Sequence, residues 1–223
     1  MDEASEIREA VREARYEAAP AVALILLVQI GLGILSDRAG WTLWVFPWWT
    51  WIVLTLPVAG LFGLLAMTEP TETVRHRRTA LLLLAVVVAV NAIALFALVG
   101  SLLTQTPTGP ELLVKAVGVW FTNVVTFGLL LWELDGGGPL ARSRGRSRIE
   151  MQFPQDENPE LAEPGWYPRL VDYVYVSLTN SIAFSPTDAM PLSRRLKLVM
   201  ALETVVSVAA TLLVAARAVN VLQ

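Results

Sequence analysis

The chain has 223 residues, of which 55% are hydrophobic and 17% charged, and it carries a net charge of −3. Soluble domains hold about 25% charge, so the composition indicates one membrane domain, and the acidic balance argues against nucleic acid as a partner. There is no cysteine and a single histidine, His76, which excludes disulfides and thiolate metal sites and starves Cys or His nucleophile chemistry.

Residues 1–17 mix acids and arginines at every turn, with Ile7, Val11 and Ala14 on one face. This pattern predicts an amphipathic helix on the cytoplasmic surface. The acidic start is unlike a signal peptide, so the first span is expected to be an uncleaved helix. Residues 18–134 form the membrane region, with four spans expected at about 18–35, 48–67, 80–103 and 112–134. The first carries Gln29, and then Gly31 and Gly33, whose spacing suits close helix contact. Between the first two spans lies WTLWVFPWWTW at 41–51, with five tryptophans. Indole rings favour the headgroup level, so this reads as half of an aromatic belt or, alternatively, a stacking site for a flat ligand. Pro57 is expected to kink the second span.

The loop at 68–78 ends in Arg75, His76, Arg77 and Arg78, a cytoplasmic flank by the positive-inside rule. Asn91 sits in the middle of the third span. Asn123 lies at similar depth in the fourth, beside Thr122 and Thr126. An amide in hydrocarbon needs a partner, so both are expected inside the bundle, possible partners for one another. They serve either as glue between helices or as the lining of a polar pathway. Residues 135–168 show no helix or strand period. Their first half is glycine-rich and basic, their second acidic and proline-rich. This predicts a surface loop, solvated or with its two halves of opposite charge folded together.

The region 169–223 opens with VDYVYVSLTNSIAFSPTDAMPL at 171–192. Residues 172–184 suit a short helix carrying aromatics and hydroxyls. Pro186 and Pro191 prevent its continuation. Thr187 and Asp188 can cap a following turn, or Ser185, Thr187 and Asp188 can form a polar constriction where an Asp ring attracts cations. The last span is expected at about 196–222. It holds Glu203 two turns in, an acid that either faces a partner or water inside the membrane or sits near the interface. Arg217 near its far end can snorkel to the surface.

The order of parts from Tyr173 onward resembles the pore module of bacterial two-helix potassium channels. There an aromatic-rich pore helix ending in hydroxyls leads to a filter, an Asp and a Pro, and then to an inner helix. Tyr173, Tyr175, Ser177 and Thr179 fall at the pore-helix positions, Asp188 and Pro191 at the post-filter positions, and LVMALETVVSV at the inner helix. The TVGYG filter has no counterpart: the equivalent place reads IAFSPTD. More widely, including WELDGGG and FPQDENPE, the chain looks like an uncharacterised family of bacterial membrane proteins. The channel resemblance implies a pore lined by the side chains of Thr179, Asn180, Ser181, Ser185, Thr187 and Asp188, with Asn91, Asn123 and Glu203 as further intramembrane polar groups.

The expected architecture is therefore all-α, a polytopic membrane helix bundle. It has about five spanning helices, a short re-entrant or interfacial helix, and the amphipathic helix at the N-terminus. The expected function is ion-channel-like passage of cations or small polar solutes through an oligomeric pore of the bacterial inner membrane. The alternative is an accessory subunit that keeps such a fold without an open pore. Membrane lipid, further copies of the chain and monovalent cations are the expected partners. No catalytic residue, cofactor or metal site is expected, because Asp172, Asp188 and Glu203 are too widely spread to act together. Arginine counting places the N-terminus, 75–78 and 142–148 in the cytoplasm. The short helix would then enter from the cytoplasmic side, whereas the potassium-channel resemblance implies the outside.

Overall fold

A computed structural model describes residues 3–67, 73–104, 108–143, 148–183 and 188–221. Its elements are helices α1 (Glu3–Ala39), α2 (Thr50–Met67), α3 (Thr73–Thr104), α4 (Gly109–Leu134) and α5 (Pro139–Ser143), strand β1 (Met151–Gln152), helices α6 (Pro154–Glu157) and α7 (Leu170–Ala183), strand β2 (Met190–Pro191) and helix α8 (Arg194–Val221). The protein is all-helical apart from the single antiparallel β1–β2 pair. Among the described residues, three stretches are long and apolar enough to cross a membrane: Tyr16–Ala39, Arg77–Thr104 and Gly109–Gly137.

The amphipathic start and the first apolar stretch, read separately in the sequence, form one unbroken helix, α1. Pro20 lies inside it. A proline removes one backbone donor and crowds one carbonyl, and the strong helix formers on either side carry the helix past it. The chain then turns through 40–49, where Leu43 and Phe46 form an isolated bridge and Trp44 adopts a positive φ of 56°. Trp44 does not simply face the headgroups. Its ring lies over Gly100 of α3, where an added Cβ would stand 2.7 Å from the indole, and its Nε1 donates to Thr104 at 2.9 Å. Trp51 is buried and Trp49 exposed, so the tryptophan run is divided between core and surface.

The organising element is α4 rather than the stretch at 171–192. It packs against α1, α3, α7 and α8, and 72% of its most apolar window is buried inside the protein, against 28% for α1 and 50% for α3. Two glycines allow this crowding. A Cβ on Gly118 would stand 2.7 Å from Leu32 of α1, and one on Gly128 would stand 2.8 Å from the Cα of Val174 on α7. The helix starts at Thr108, whose hydroxyl accepts from the Glu111 amide, with Pro110 in the first turn. Proline suits that position because its missing N–H would have no helical partner there.

The described residues of 135–168, a segment expected to be a loop without period, instead fold onto the end of α4. Met151 and Phe153 are buried in the main core with Leu129, Trp132, Tyr173 and Met200. The Phe153 ring meets Trp166 and Tyr173 edge-on, at 6.1 and 5.2 Å between centroids. The periodicity is absent because α5, β1 and α6 are five, two and four residues long, too short to show one.

Both α7 and α8 run back along α4 from this end. Leu170 donates to Glu17 of α1, Val174 lies at Gly128 and Ser177 at Val124. Arg195 donates to the Leu134 carbonyl, and Ser207 meets Asn123. After α7 the chain returns to its starting end, because β2 pairs with β1 beside Asp135. Asp188 is exposed just before β2 and caps no helical turn; α8 begins at Arg194, and the Ser193 hydroxyl accepts from Leu196 N at 3.3 Å.

Candidate functional site

Where α4, α7 and α8 meet, the carboxyl group of Glu203 is fully buried. On α7, Ser177 and Asn180 are three residues apart and so share a face; that face is turned toward α8. Ser177 Oγ contacts Glu203 Oε1 and also donates to the Val124 carbonyl of α4 at 2.7 Å. Asn180 Nδ2 donates to Glu203 Oε2 at 2.8 Å and to the Met200 carbonyl at 3.1 Å. The Thr204 hydroxyl lies 3.3 Å from Asn180 Oδ1 and 3.0 Å from the Met200 carbonyl. Among the described residues, no cation pairs with Glu203. Its shell is made of hydroxyls, one amide and backbone carbonyls.

One turn further along α8, Ser207 is buried and accepts from Asn123 Nδ2 at 3.3 Å. Asn123 therefore pairs with α8, not with Asn91. Among the described residues, Asn123 Oδ1, Asn91 Nδ2 and Thr126 Oγ1 are buried without a hydrogen-bond partner. Unmet polar valences in an apolar bundle are costly, and these are not confined to Asn91, Asn123 and Thr126: Gln29, Ser36, Thr50, Trp51, Arg77 and Arg142 each have a buried atom without a hydrogen-bond partner as well.

A second network closes the end of the bundle. Asp135, fully buried at the C-terminus of α4, accepts from the amides of Glu150 and Met151 at 2.8 and 2.9 Å and from the Tyr173 hydroxyl at 2.7 Å. Arg142 Nε lies 3.2 Å from Asp135 Oδ2, as an ion pair outside hydrogen-bond geometry. Arg142 Nη2 also grips both oxygens of Asp156, at 3.0 and 2.7 Å. The basic and acidic halves of 135–168 are thus folded together. Burial first, and then the Asp135 charge, push the Tyr173 hydroxyl above the ordinary phenol range, so Tyr173 stays a donor. At the opposite end of α4, Lys115 is buried. It bonds Glu111 at 2.5 Å and the Thr42 carbonyl at 2.6 Å, and lies 5.8 Å from the Trp41 ring centroid.

Of the residues singled out in the sequence, Asn180 and Glu203 are brought into direct contact. Ser181 is buried and bonds the Leu178 carbonyl. Thr179 is half-buried, bonding the Val176 carbonyl. Asp188 is exposed at the returning end, and Ser185 and Thr187 lie outside the described residues. Asn91 and Asn123 are buried in the bundle. Sequence reasoning did not single out Thr204, Ser207, Asp135, Arg142 or Lys115. For Ser207 a signal existed: it stands four residues after Glu203 and so shares its face of α8. Asp135 offered none, because its partners lie up to 38 residues away. Among the described residues, no group of three His, Asp or Glu side chains is placed to hold a metal ion.

The fold and site together define an all-helical protein with membrane-length helices around a buried carboxylate. No family model, curated protein or solved structure matches the chain.

Proposed function

We propose that this is a multi-pass protein of the bacterial inner membrane that passes cations or small polar solutes. In this reading α1, α2, α3, α4 and α8 are five spans, and α7 is a short re-entrant helix. The observation that carries it is Glu203, an acid buried in an apolar bundle with, among the described residues, no cation beside it and with the Ser177 hydroxyl and the Asn180 amide on its carboxyl. An acid at the centre of a spanning helix costs about 2.5–3.5 kcal/mol to insert, and such groups mark ion pathways.

Arginine placement supports an orientation. Arg77 beside Glu133, Arg142, Arg169 on Glu17 and Arg195 on Glu150 lie at one end of the bundle, whereas Arg38 and Lys115 lie at the other. By the positive-inside rule the first end is cytoplasmic. Residue 170 then enters from the cytoplasm and 190 returns to it, opposite to the potassium-channel arrangement. The exposed apolar faces of α7 (Val171, Tyr175, Ile182) and α8 (Leu198, Leu202, Val205) suit lipid and further copies of the chain. Thr179 and Asp188 belong to the proposed constriction, and Ser185 and Thr187, expected there from the sequence, lie outside the described residues.

Reconstitution in phosphatidylethanolamine–phosphatidylglycerol liposomes tests this, with potassium, sodium and proton flux measured separately. Flux of at least one ion, lowered about tenfold by Glu203→Gln, is expected, equivalent to about 1.4 kcal/mol on the barrier. Asp188→Asn should change cation preference while leaving stability intact. A second reading is an accessory subunit without an open pore. It is favoured by the burial of Ser177, Asn180 and Ser181 within a single chain, and absence of flux for every ion would establish it over the first.

A further inference from the structure

The contacts around Glu203 can be counted in protons. Two backbone carbonyls, Val124 and Met200, terminate the chain of contacts, and a carbonyl can only accept. Between them run four links: Val124 carbonyl to Ser177, Ser177 to Glu203 Oε1, Glu203 Oε2 to Asn180 Nδ2, and Asn180 Nδ2 to the Met200 carbonyl. Each link needs one proton. Ser177 supplies one and the Asn180 amide two. The Met200 carbonyl fixes which side of that amide carries nitrogen, so the assignment is not free. The fourth proton has no source but the Glu203 carboxyl, donating from Oε1 to Ser177 Oγ. If the carboxyl were ionised, either Ser177 and Val124 or Ser177 and Glu203 would face each other as two bare oxygens.

We infer that Glu203 holds a proton in this state of the protein, and that the ion handled by the pathway is the proton. The transport half of this inference rests on the channel-like reading above; the protonation half does not. When Glu203 ionises, the O–H bond of its carboxyl breaks, the electron pair stays on Oε1 and the proton leaves to water. Ser177 then turns its O–H from Val124 to Oε1.

Other charged groups on the packed elements are engaged elsewhere. On α7, Tyr173 bonds Asp135, and Asp172 accepts from the Arg169 amide. On α4, Asp135 faces Arg142, Glu133 lies beside Arg77, and Lys115 is bonded to Glu111. On α8, Arg195 pairs with Glu150, and Arg194 and Lys197 are exposed in the first turn. None of these is recorded in contact with the Glu203 carboxyl. Asn123 Oδ1, buried and unpartnered among the described residues a turn away beside Ser207, can accept a hydrogen bond from a water that takes the proton but does not carry the proton itself.

The full chain in lipid nanodiscs can be examined by infrared difference spectroscopy at neutral pH. Glu203→Gln is the informative variant, because its amide N–H and C=O can make the same four links. It should therefore fold as the wild type does. The expected result is a protonated-carboxyl C=O band in the wild type that disappears in Glu203→Gln and shifts in Ser177→Ala. If the wild type and Glu203→Gln show the same carboxyl spectrum, Glu203 is ionised and the inference is overturned. Proton uptake into liposomes under a pH gradient gives the second readout: uptake in the wild type and at least about a tenfold loss in Glu203→Gln is expected. If the band is present but potassium or sodium moves equally in both proteins without protons, the proton is structural and the transport half falls. If no ion moves at all, the channel-like reading fails, while the band still decides the protonation.

Discussion

Asp135 satisfies two backbone amides and a tyrosine hydroxyl while facing Arg142, so one side chain joins α4, β1 and α7. Buried charges are stable only when paired and hydrogen-bonded, and removal of one partner strands the others. Asp135→Ala is therefore expected to cost about 3–5 kcal/mol of stability, measured by chemical unfolding in detergent. Asp135→Asn, which keeps the shape, should cost less. A loss below about 1 kcal/mol for Asp135→Ala would show that water or Asp156 replaces the carboxylate in full, as at an exposed pair. Arg195 with Glu150 provides that comparison, since the Arg195 side chain is 46% exposed, and Arg195→Ala should cost no more than about 1 kcal/mol.

The contact between α4 and α7 is set by Gly128. An added Cβ would stand 2.7 Å from Val174 Cγ2 and 2.8 Å from its Cα, and a backbone atom cannot rotate away. Gly128→Ala must push the two helices apart and is expected to cost about 1–3 kcal/mol as overpacking. Gly31→Ala serves as the control, because nothing lies within 4 Å of its Cβ position. It should be neutral or slightly stabilising. Thermal melting of both variants separates the outcomes: equal effects would mean that the helices are not in this contact. The segment at 148–168 is tested by Phe153, buried between Trp166 and Tyr173. Phe153→Ala should cost about 3–5 kcal/mol, the range for emptying a core aromatic site, whereas a solvated loop would tolerate the change.

At the scale of the molecule, the return of the chain from α7 to the end where it began makes a prediction about sidedness. The protein contains no cysteine, so single cysteines can be introduced without background. Asp37, Glu160 and Asp188 are exposed. Cysteines at 160 and 188 should react with an impermeant maleimide from the cytoplasmic side, and one at 37 from the other. Labelling of 188 together with 37 would mean that α7 crosses the membrane, and the re-entrant reading would be withdrawn. The proposed five crossings would place residues 3 and 221 on opposite sides, which terminal reporter fusions would check independently.

The helices were legible in the sequence because their signals are local. The apolar run expected at 112–134 is α4 at Gly109–Leu134, and the short helix expected at 172–184 is α7 at Leu170–Ala183. Hydrophobic length and the stop at Pro186 are read within a few residues of the element they define. Of the five spans expected from the sequence, three coincide with described helices long and apolar enough to cross a membrane. The tertiary structure decided the rest. It made α4 the centre, folded 135–168 onto the bundle, paired Asn123 with Ser207 and closed Ser177 and Asn180 around Glu203. Each of those contacts joins residues from 20 to 84 positions apart. Periodicity shows which face of a helix is polar, but the partner that satisfies it is chosen by packing between helices.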